Sequence, residues 1–338
     1  MIATHGEEMV RLVRADGVFS GGGIKGLAFA GGLQAAAEAG YDEWSKLAGT
    51  SAGAITAMAL AVGYTAQGLR EQLDNFDFGS IADYGVLGKL EIPANLQLRH
   101  GVTKGKALHA WIEKLLAEAP HPAQTFGDLE ADRLRVVGAD LAHSRMVVFP
   151  EDVAFYVDEQ GDPLRPNDFP IADAVRISAG YPYFFPPLSL IDERTKKAGV
   201  LVDGGVTSAF PVFLFDKPKP EHPTWGFRLF GGNPPEKPSY TPIDGPLWPI
   251  DMLKAIVDTS MNALDKLEMV AFAPRTISIP TGDIPTLDFS LTDAQKKELY
   301  DSGYDTAKAF FDKQPTGVNT FGAVPASSAP PTGGSAGP

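Results

Sequence analysis

The chain has 338 residues, 44% of them hydrophobic, a net charge of −13 and no cysteine. Length and apolar content suit one large α/β domain or two smaller ones, and the absent cysteine excludes disulfides, thiolate catalysis and cysteine metal sites. The acidic balance argues against a nucleic-acid partner and against docking on anionic lipid by bulk charge, so any membrane contact has to be apolar or locally basic.

The N-terminal stretch MIATHGEEMVRLVRADG has no apolar h-region and does not read as a secretory signal, so a cytoplasmic location is expected by default. A strand is predicted over 12–19, ending at SGGGIKG, then a helix over 25–38. WSKLAGT reads as a second strand and 51–62 as a second helix. Strand, glycine turn and helix thus occur twice, which predicts a parallel sheet with helices on both faces. Residues 47–69 carry no charge, but their Ala, Gly, Thr and Ser content fits a buried helix better than a membrane span.

Further on, KGKALHAWIEKLLAEA is an amphipathic helix with Leu108, Trp111, Ile112 and Leu115 on one face. LRVVGADL is a strand, PIADAVRISA a short helix and GVLVDGG a strand ending in a glycine turn. A long helix over about 251–270, a strand at TISIP and a helix at TDAQKKELYDSGYDTAKAFF complete the predicted elements. Residues 1–314 are expected to form a single catalytic domain. The Pro-, Gly-, Ala- and Ser-rich stretch 315–338 reads as a flexible tail.

Three glycine-rich motifs stand at predicted strand ends. Gly49-Thr50-Ser51-Ala52-Gly53 is a G-x-S-x-G. On a sharp strand-to-helix turn its serine is pushed outward, and the two glycines avoid clashes that bulkier residues would make. The helix N-terminus beneath it favours developing negative charge. Chance alone places such a motif in about one chain in ten of this length.

Gly21-Gly22-Gly23-Ile24-Lys25-Gly26 supplies backbone N–H groups without side chains in the way, which suits an oxyanion hole. It also fits a plain βα turn or a dinucleotide loop. For the latter, Asp42 and Glu43 stand near the required spacing but lack a clear strand leading to them. Asp203-Gly204-Gly205 places a carboxylate at a strand end, though Asp-Gly is also among the commonest turn signals.

A serine nucleophile needs a base. Only His222 follows Asp203 in the order of an α/β-hydrolase triad, and it lies in the proline-hemmed KPKPEHPTW. The alternative is a two-residue device in which Asp203 takes the Ser51 proton directly. That requires burial to raise a carboxyl pKa normally near 4.

Together GGGIKG, GTSAG and DGG, in this order, resemble the patatin-like phospholipase family, as does AVRISAGYPYFFPPL at 174–188. The similarity looks continuous over about 18–215. It implies a three-layer αβα fold around a mostly parallel sheet. It also implies a Ser-Asp dyad of Ser51 and Asp203, with an oxyanion hole at Gly21, Gly22, Gly23 and Gly26. In that reading Gly49, Ala52 and Gly53 form the nucleophile elbow, and Gly204 and Gly205 complete the aspartate motif. Lys25 stands where the family often has arginine, and Ser20 where it often has an acidic residue.

The expected activity is hydrolysis of lipid carboxylic esters through an acyl-enzyme. No metal or cofactor is expected. The partners are a lipid or phospholipid substrate and a transient membrane or micelle surface, with no nucleic acid. The 181–187 aromatics and the 81–100 region are candidates for an acyl groove or lid. Met252, Ile256 and Leu264 could touch lipid, although core packing is the plainer role for such residues. A Ser-His-Asp esterase using His222 and a nucleotide-binding module using the 21–26 loop stand as alternatives.

Overall fold

The computed structural model describes residues 14–81, 83, 101–158, 160–231, 272–286 and 288–314. The expected 251–270 helix, residues 84–100, the tail from 315, and His5 and His100 lie outside the described residues.

β1 (Arg14–Phe19) leads into a 3₁₀ turn at Gly23–Gly26, and α1 (Leu27–Glu38) begins only after it. The helix starts two residues later than expected because the loop enters through Gly23 at φ 57°, a left-handed conformation that suits glycine. β2 (Glu43–Thr50) turns at Ser51 into α2 (Ala52–Ala61), and α3 (Ala66–Asp74) follows, capped by the Thr65 side chain. α4 (Lys106–Ala117) is next. The N–H groups of Lys104 and Gly105, which lead into it, and of Lys106 and Ala107, which open it, donate to the Asp83 carboxylate.

Then come β3 (Leu134–Asp140), β4 (Arg145–Phe149), β5 (Tyr156–Val157), α5 (Ile171–Ser178), β6 (Ile191–Asp192) and β7 (Leu201–Asp203). β8 (Thr224–Phe230), β9 (Thr276–Pro280) and α6 (Asp293–Phe311) follow.

The main sheet runs β4-β3-β2-β1-β8-β9, with β7 also paired to β3. The four pairings between β3 and β9 through β2, β1 and β8 are parallel, while β4 and β7 pair antiparallel to β3. This is a mixed, mostly parallel sheet flanked by helices. Phe19, Phe29, Trp44 and Phe227 form its central core, with Phe19 and Phe227 stacked at 5.1 Å. On the opposite face, Val18 and Ala48 are covered by Phe210, Val212 and Phe215.

One pairing detail positions the site. β2 accompanies β3 only as far as Thr50, opposite Val137. β7 takes up the same edge at the next residue, with Asp203 opposite Gly138. Two strands running in opposite directions therefore end head to head. Their terminal residues are neighbours across about 150 positions of sequence.

Candidate active site

Ser51 sits where β2 becomes α2, at φ 55° and ψ −121°. A non-glycine residue held there costs about 1–3 kcal/mol, so its surroundings must impose it. They do so by close packing. A Cβ on Gly49 would stand 2.2 Å from the Gly53 carbonyl oxygen, and one on Gly53 would stand 2.2 Å from that of Phe19. The helix is thus pressed onto the ends of β1 and β2 at a distance only glycine allows. The Ser51 N–H donates to Ser178 Oγ at 2.9 Å, and that hydroxyl donates to the Val137 carbonyl at 2.6 Å. Thr50 Oγ1 donates to the Ser208 carbonyl at 2.9 Å.

The head-to-head strand ends bring Asp203 beside Ser51. Its N–H donates to the Gly180 carbonyl at 3.0 Å, and its Oδ1 accepts from the Gly205 N–H at 2.8 Å. The residue is 1% exposed. Burial pushes the carboxyl pKa up to about 7, against the opposing pull of the Gly205 N–H and the Ser51 hydroxyl. That hydroxyl is near enough to favour the carboxylate, yet among the described residues Oδ2 has no partner at bonding geometry. A buried carboxyl oxygen with an unfilled bond next to a hydroxyl is poised to accept a proton.

The glycine loop divides into different roles. The Gly21 N–H is already donated to the Ala209 carbonyl at 2.8 Å, so this amide is not available to an oxyanion. Ile24 N–H donates to Thr286 O and Lys25 N–H to Gly22 O. The amides of Gly22 and Gly23, at the mouth of the 3₁₀ turn, have no backbone acceptor among the described residues. Gly26 packs on the elbow, where an added Cβ would meet Ala52 Cβ at 2.9 Å. Ala52 opens α2, and its N–H belongs to the first turn that has no acceptor within the helix. Gly204 continues the chain past Asp203, and Gly205 supplies the carboxylate donor. Ser20 ties β1 to β8, its Oγ accepting the Leu229 N–H at 2.9 Å and donating to the Gly21 carbonyl at 3.0 Å.

In front of Ser51 lies a cleft that, with its open mouth, spans about 740 Å³. Its walls are mostly apolar and include Ile55, Leu73, Phe78, Leu108, Trp111 and Phe185. Tyr181 and Phe185 come from the expected aromatic segment and Ile81 from the edge of the expected lid. The amphipathic face of α4 does double duty. Leu108 and Trp111 reach the cleft, and Trp111 stacks on Phe76 at 4.1 Å, while Ile112 and Leu115 stay in the core. Arg176 holds the aromatic wall from behind, donating to the Gly105 and Pro186 carbonyls and lying 4.6 Å from the Phe185 ring.

Sequence reasoning passed over Ser178 and the cleft residues Thr286 and Phe289. Ser178 carried a signal, since it lies in the RISAG run. Thr286 and Phe289 carried none, because they arrive from the loop after β9.

The described histidines are elsewhere. His222 precedes β8, whose first residue pairs with Asp16 of β1, so it lies at the other end of the sheet. That is about 20 Å along the strand direction from Ser51 at 3.3 Å per residue. His109 contacts Asp173, and His143 contacts Asp140. Asp42 and Glu43 are likewise at the N-terminal end of β2, with Glu43 opposite Arg14. A ribose-binding carboxylate would stand at the other end of that strand.

The chain is similar to known proteins in sequence and in fold. YqhO of Bacillus subtilis (strain 168) is 34% identical over 299 residues, covering 87% of this chain and 97% of its own. Protein R571 of Acanthamoeba polyphaga mimivirus is 24% identical over 86% of this chain and 91% of its own. In fold, the chain is similar to VipD from Legionella pneumophila, with a TM-score of 0.52 at 18% identity. That match covers 88% of this chain, which spans 66% of VipD. The patatin-like phospholipase profile matches residues 17–216, a span that takes in the glycine loop, the serine elbow, the 174–188 segment and Asp203. With more than half its length matched, this chain belongs to the patatin-like phospholipase family.

Proposed function

We propose that the chain is a lipid acyl hydrolase that cleaves carboxylic esters through a dyad of Ser51 and Asp203. The observation that carries the reading is the buried Asp203 carboxyl beside Ser51, with a pKa pushed up to about 7 and Oδ2 left open. In water a carboxylate is too weak a base for a serine hydroxyl. A desolvated one near neutrality is better matched, and the amide cradle lowers the remaining barrier.

Ser51 Oγ attacks the ester carbonyl carbon as its proton passes to Asp203. The Gly22, Gly23 and Ala52 amides stabilise the tetrahedral oxyanion, each such donor commonly being worth about 10²–10³ in rate. Collapse breaks the ester C–O bond, and the leaving alcohol takes the proton back from Asp203. Water then gives a proton to Asp203 and attacks the acyl-enzyme, releasing a fatty acid and restoring Ser51. The apolar cleft suits the acyl chain rather than a charged head group.

Labelling with a fluorophosphonate tests the assignment. The wild type should label strongly, while Ser51→Ala and Asp203→Asn should not. Equal labelling of Ser51→Ala and wild type would overturn the nucleophile. Full labelling and esterase activity in Asp203→Asn would overturn the dyad.

A further inference from the structure

We propose that the joined tips of the β3–β4 turn and the β6–β7 turn form a docking patch for an anionic lipid surface. Choosing lipid as the occupant rests on the acyl-hydrolase reading; the surface itself does not.

Five large hydrophobic side chains stand more than a third exposed among the described residues, and three of them gather here. They are Leu141 at 45%, Val200 at 37% and Phe155 at 51%. Leu141 N–H donates to the Val200 carbonyl at 2.9 Å, and Glu193 N–H donates to the Phe155 carbonyl at 2.8 Å, so the three segments adjoin. Between them runs an exposed stretch, 193–198, that carries Arg194, Lys196 and Lys197 against the single acid Glu193.

The acids that flank the two turns, Asp140 and Asp192, are buried and engaged. Asp140 accepts from Tyr156 at 3.0 Å and pairs with His143 at 2.8 Å, and Asp192 pairs with Arg145 at 2.9 Å. The outward face is therefore basic and apolar in a chain of net charge −13. Such a chain can approach an anionic surface only through a locally basic zone. Lysine and arginine at the headgroups, with leucine, valine and phenylalanine at the acyl boundary, match the composition of an interfacial contact.

The tip is also held rigid. His143 bridges Asp140 and Thr195, with Nε2 2.9 Å from the threonine hydroxyl, and so locks the two turns together. Bridges Leu188↔Leu201 and Ile191↔Ala198 continue the same hairpin back to Asp203. The basic tip thus lies about 20 Å beyond the carboxylate at 3.3 Å per residue. Docking there would tether the β7 end of the site to the surface that supplies its substrate.

Cosedimentation of the full chain with vesicles tests this. Phosphatidylcholine vesicles are compared with vesicles in which phosphatidylglycerol replaces about a third of the lipid. The wild type should pellet with the anionic vesicles, weakly with the neutral ones, and be released by high salt. The combined variant Arg194→Gln, Lys196→Gln, Lys197→Gln should partition about 100-fold more weakly. A second variant, Leu141→Ser with Val200→Ser, should also weaken binding, with less sensitivity to salt in what is lost. Both should keep the wild-type Tm and hydrolyse a soluble short-chain ester at the wild-type rate.

Undiminished vesicle binding by the triple variant overturns the proposal, as does absence of wild-type binding. So does a wild-type dimer that the same substitutions dissolve, which would make the patch a self-association face. Loss of ester hydrolysis does not enter the vesicle readout, so failure of the hydrolase reading would be seen separately, in the Ser51→Ala comparison.

Discussion

Asp203 and Asp140 are both buried, both belong to the β3–β7 ladder and lie within a few residues of each other in register. Their environments drive them in opposite directions. Burial pushes both carboxyls up. At Asp140 it is outweighed by hydrogen bonds from His143, Tyr156 and the Val200 N–H, so the pKa ends below the ordinary value. The Ala142 N–H adds a further donor. At Asp203 only Gly205 closes a bond among the described residues, and the pKa ends at about 7. Donor count separates a structural carboxylate from the proposed base. Asp140 is saturated and fixes a hairpin tip, while Asp203 keeps a bond in reserve.

The largest contrast should appear on replacing each by asparagine. Asp203→Asn removes the proposed base and should lower kcat for a short-chain ester by about 10²–10⁴-fold, with little loss of fold. Asp140→Asn should do the reverse. Its kcat should stay within a few-fold of wild type, while Tm falls because donors arranged around a charge now face a neutral amide. Equal kcat losses in the two variants would erase the distinction.

The same pair should separate in the pH dependence of stability. Asp203 has a folded pKa raised above its unfolded value. As pH rises from about 4 to about 7, the unfolded state releases a proton that the folded state retains, and wild-type stability falls. The difference in stability between Asp203→Asn and wild type should therefore move in the variant's favour over that window, by up to about 4 kcal/mol at full ionisation. Asp140 has a lowered folded pKa, so the wild-type advantage over Asp140→Asn is present above pH 4 and is lost as pH falls through the depressed value. Thermal melts at pH 8, pH 4.5 and pH 2.5 would read both signs, the Asp203 difference changing between the first two and the Asp140 difference between the last two. Parallel shifts in the two variants would contradict the assigned environments.

Catalysis should follow the Asp203 titration directly. The proposed base works ionised, so kcat/KM for a soluble ester should climb about tenfold per pH unit below 7 and level off above it. A half-rise near pH 4 would mean that the carboxyl is solvated in the working enzyme.

Legibility in the sequence followed the range of the forces involved. The serine elbow and the Asp-Gly-Gly turn fall in short contiguous motifs that name their residues directly, Gly49 being demanded by Gly53 within the elbow itself. The head-to-head meeting of β2 and β7 is not local. It depends on β3 pairing with one strand through Val137 and with another from Gly138, which no short pattern encodes. β8 was missed although it lies beside β1 in the middle of the sheet. Its TWGFRLF is buried almost throughout, so it shows no alternation, and its arginine and the prolines before it disguise a central strand. The amides of the glycine loop were legible as a group but not individually. That Gly21 is engaged by Ala209 depends on a loop nearly two hundred residues away.

The smallest effect is expected at Ser178, the residue that joins the two halves of the comparison. Its hydroxyl accepts the Ser51 N–H and donates to the Val137 carbonyl, one residue before Gly138, which faces Asp203. Removing it in Ser178→Ala strands a buried N–H and weakens the registration of the elbow on β3, without touching the reacting atoms. The left-over amide costs about 1–3 kcal/mol. The glycine contacts and α2 still impose the turn, so kcat should fall only about tenfold, with KM for a short ester unchanged, because one kcal/mol or so of misplacement is felt at the transition state. The pH of half-rise should remain that of the wild type, since Asp203 keeps its burial and its Gly205 donor. A shifted pH profile in Ser178→Ala would mean that this hydroxyl tunes the carboxylate itself, and the separation between positioning and proton transfer drawn here would have to be redrawn.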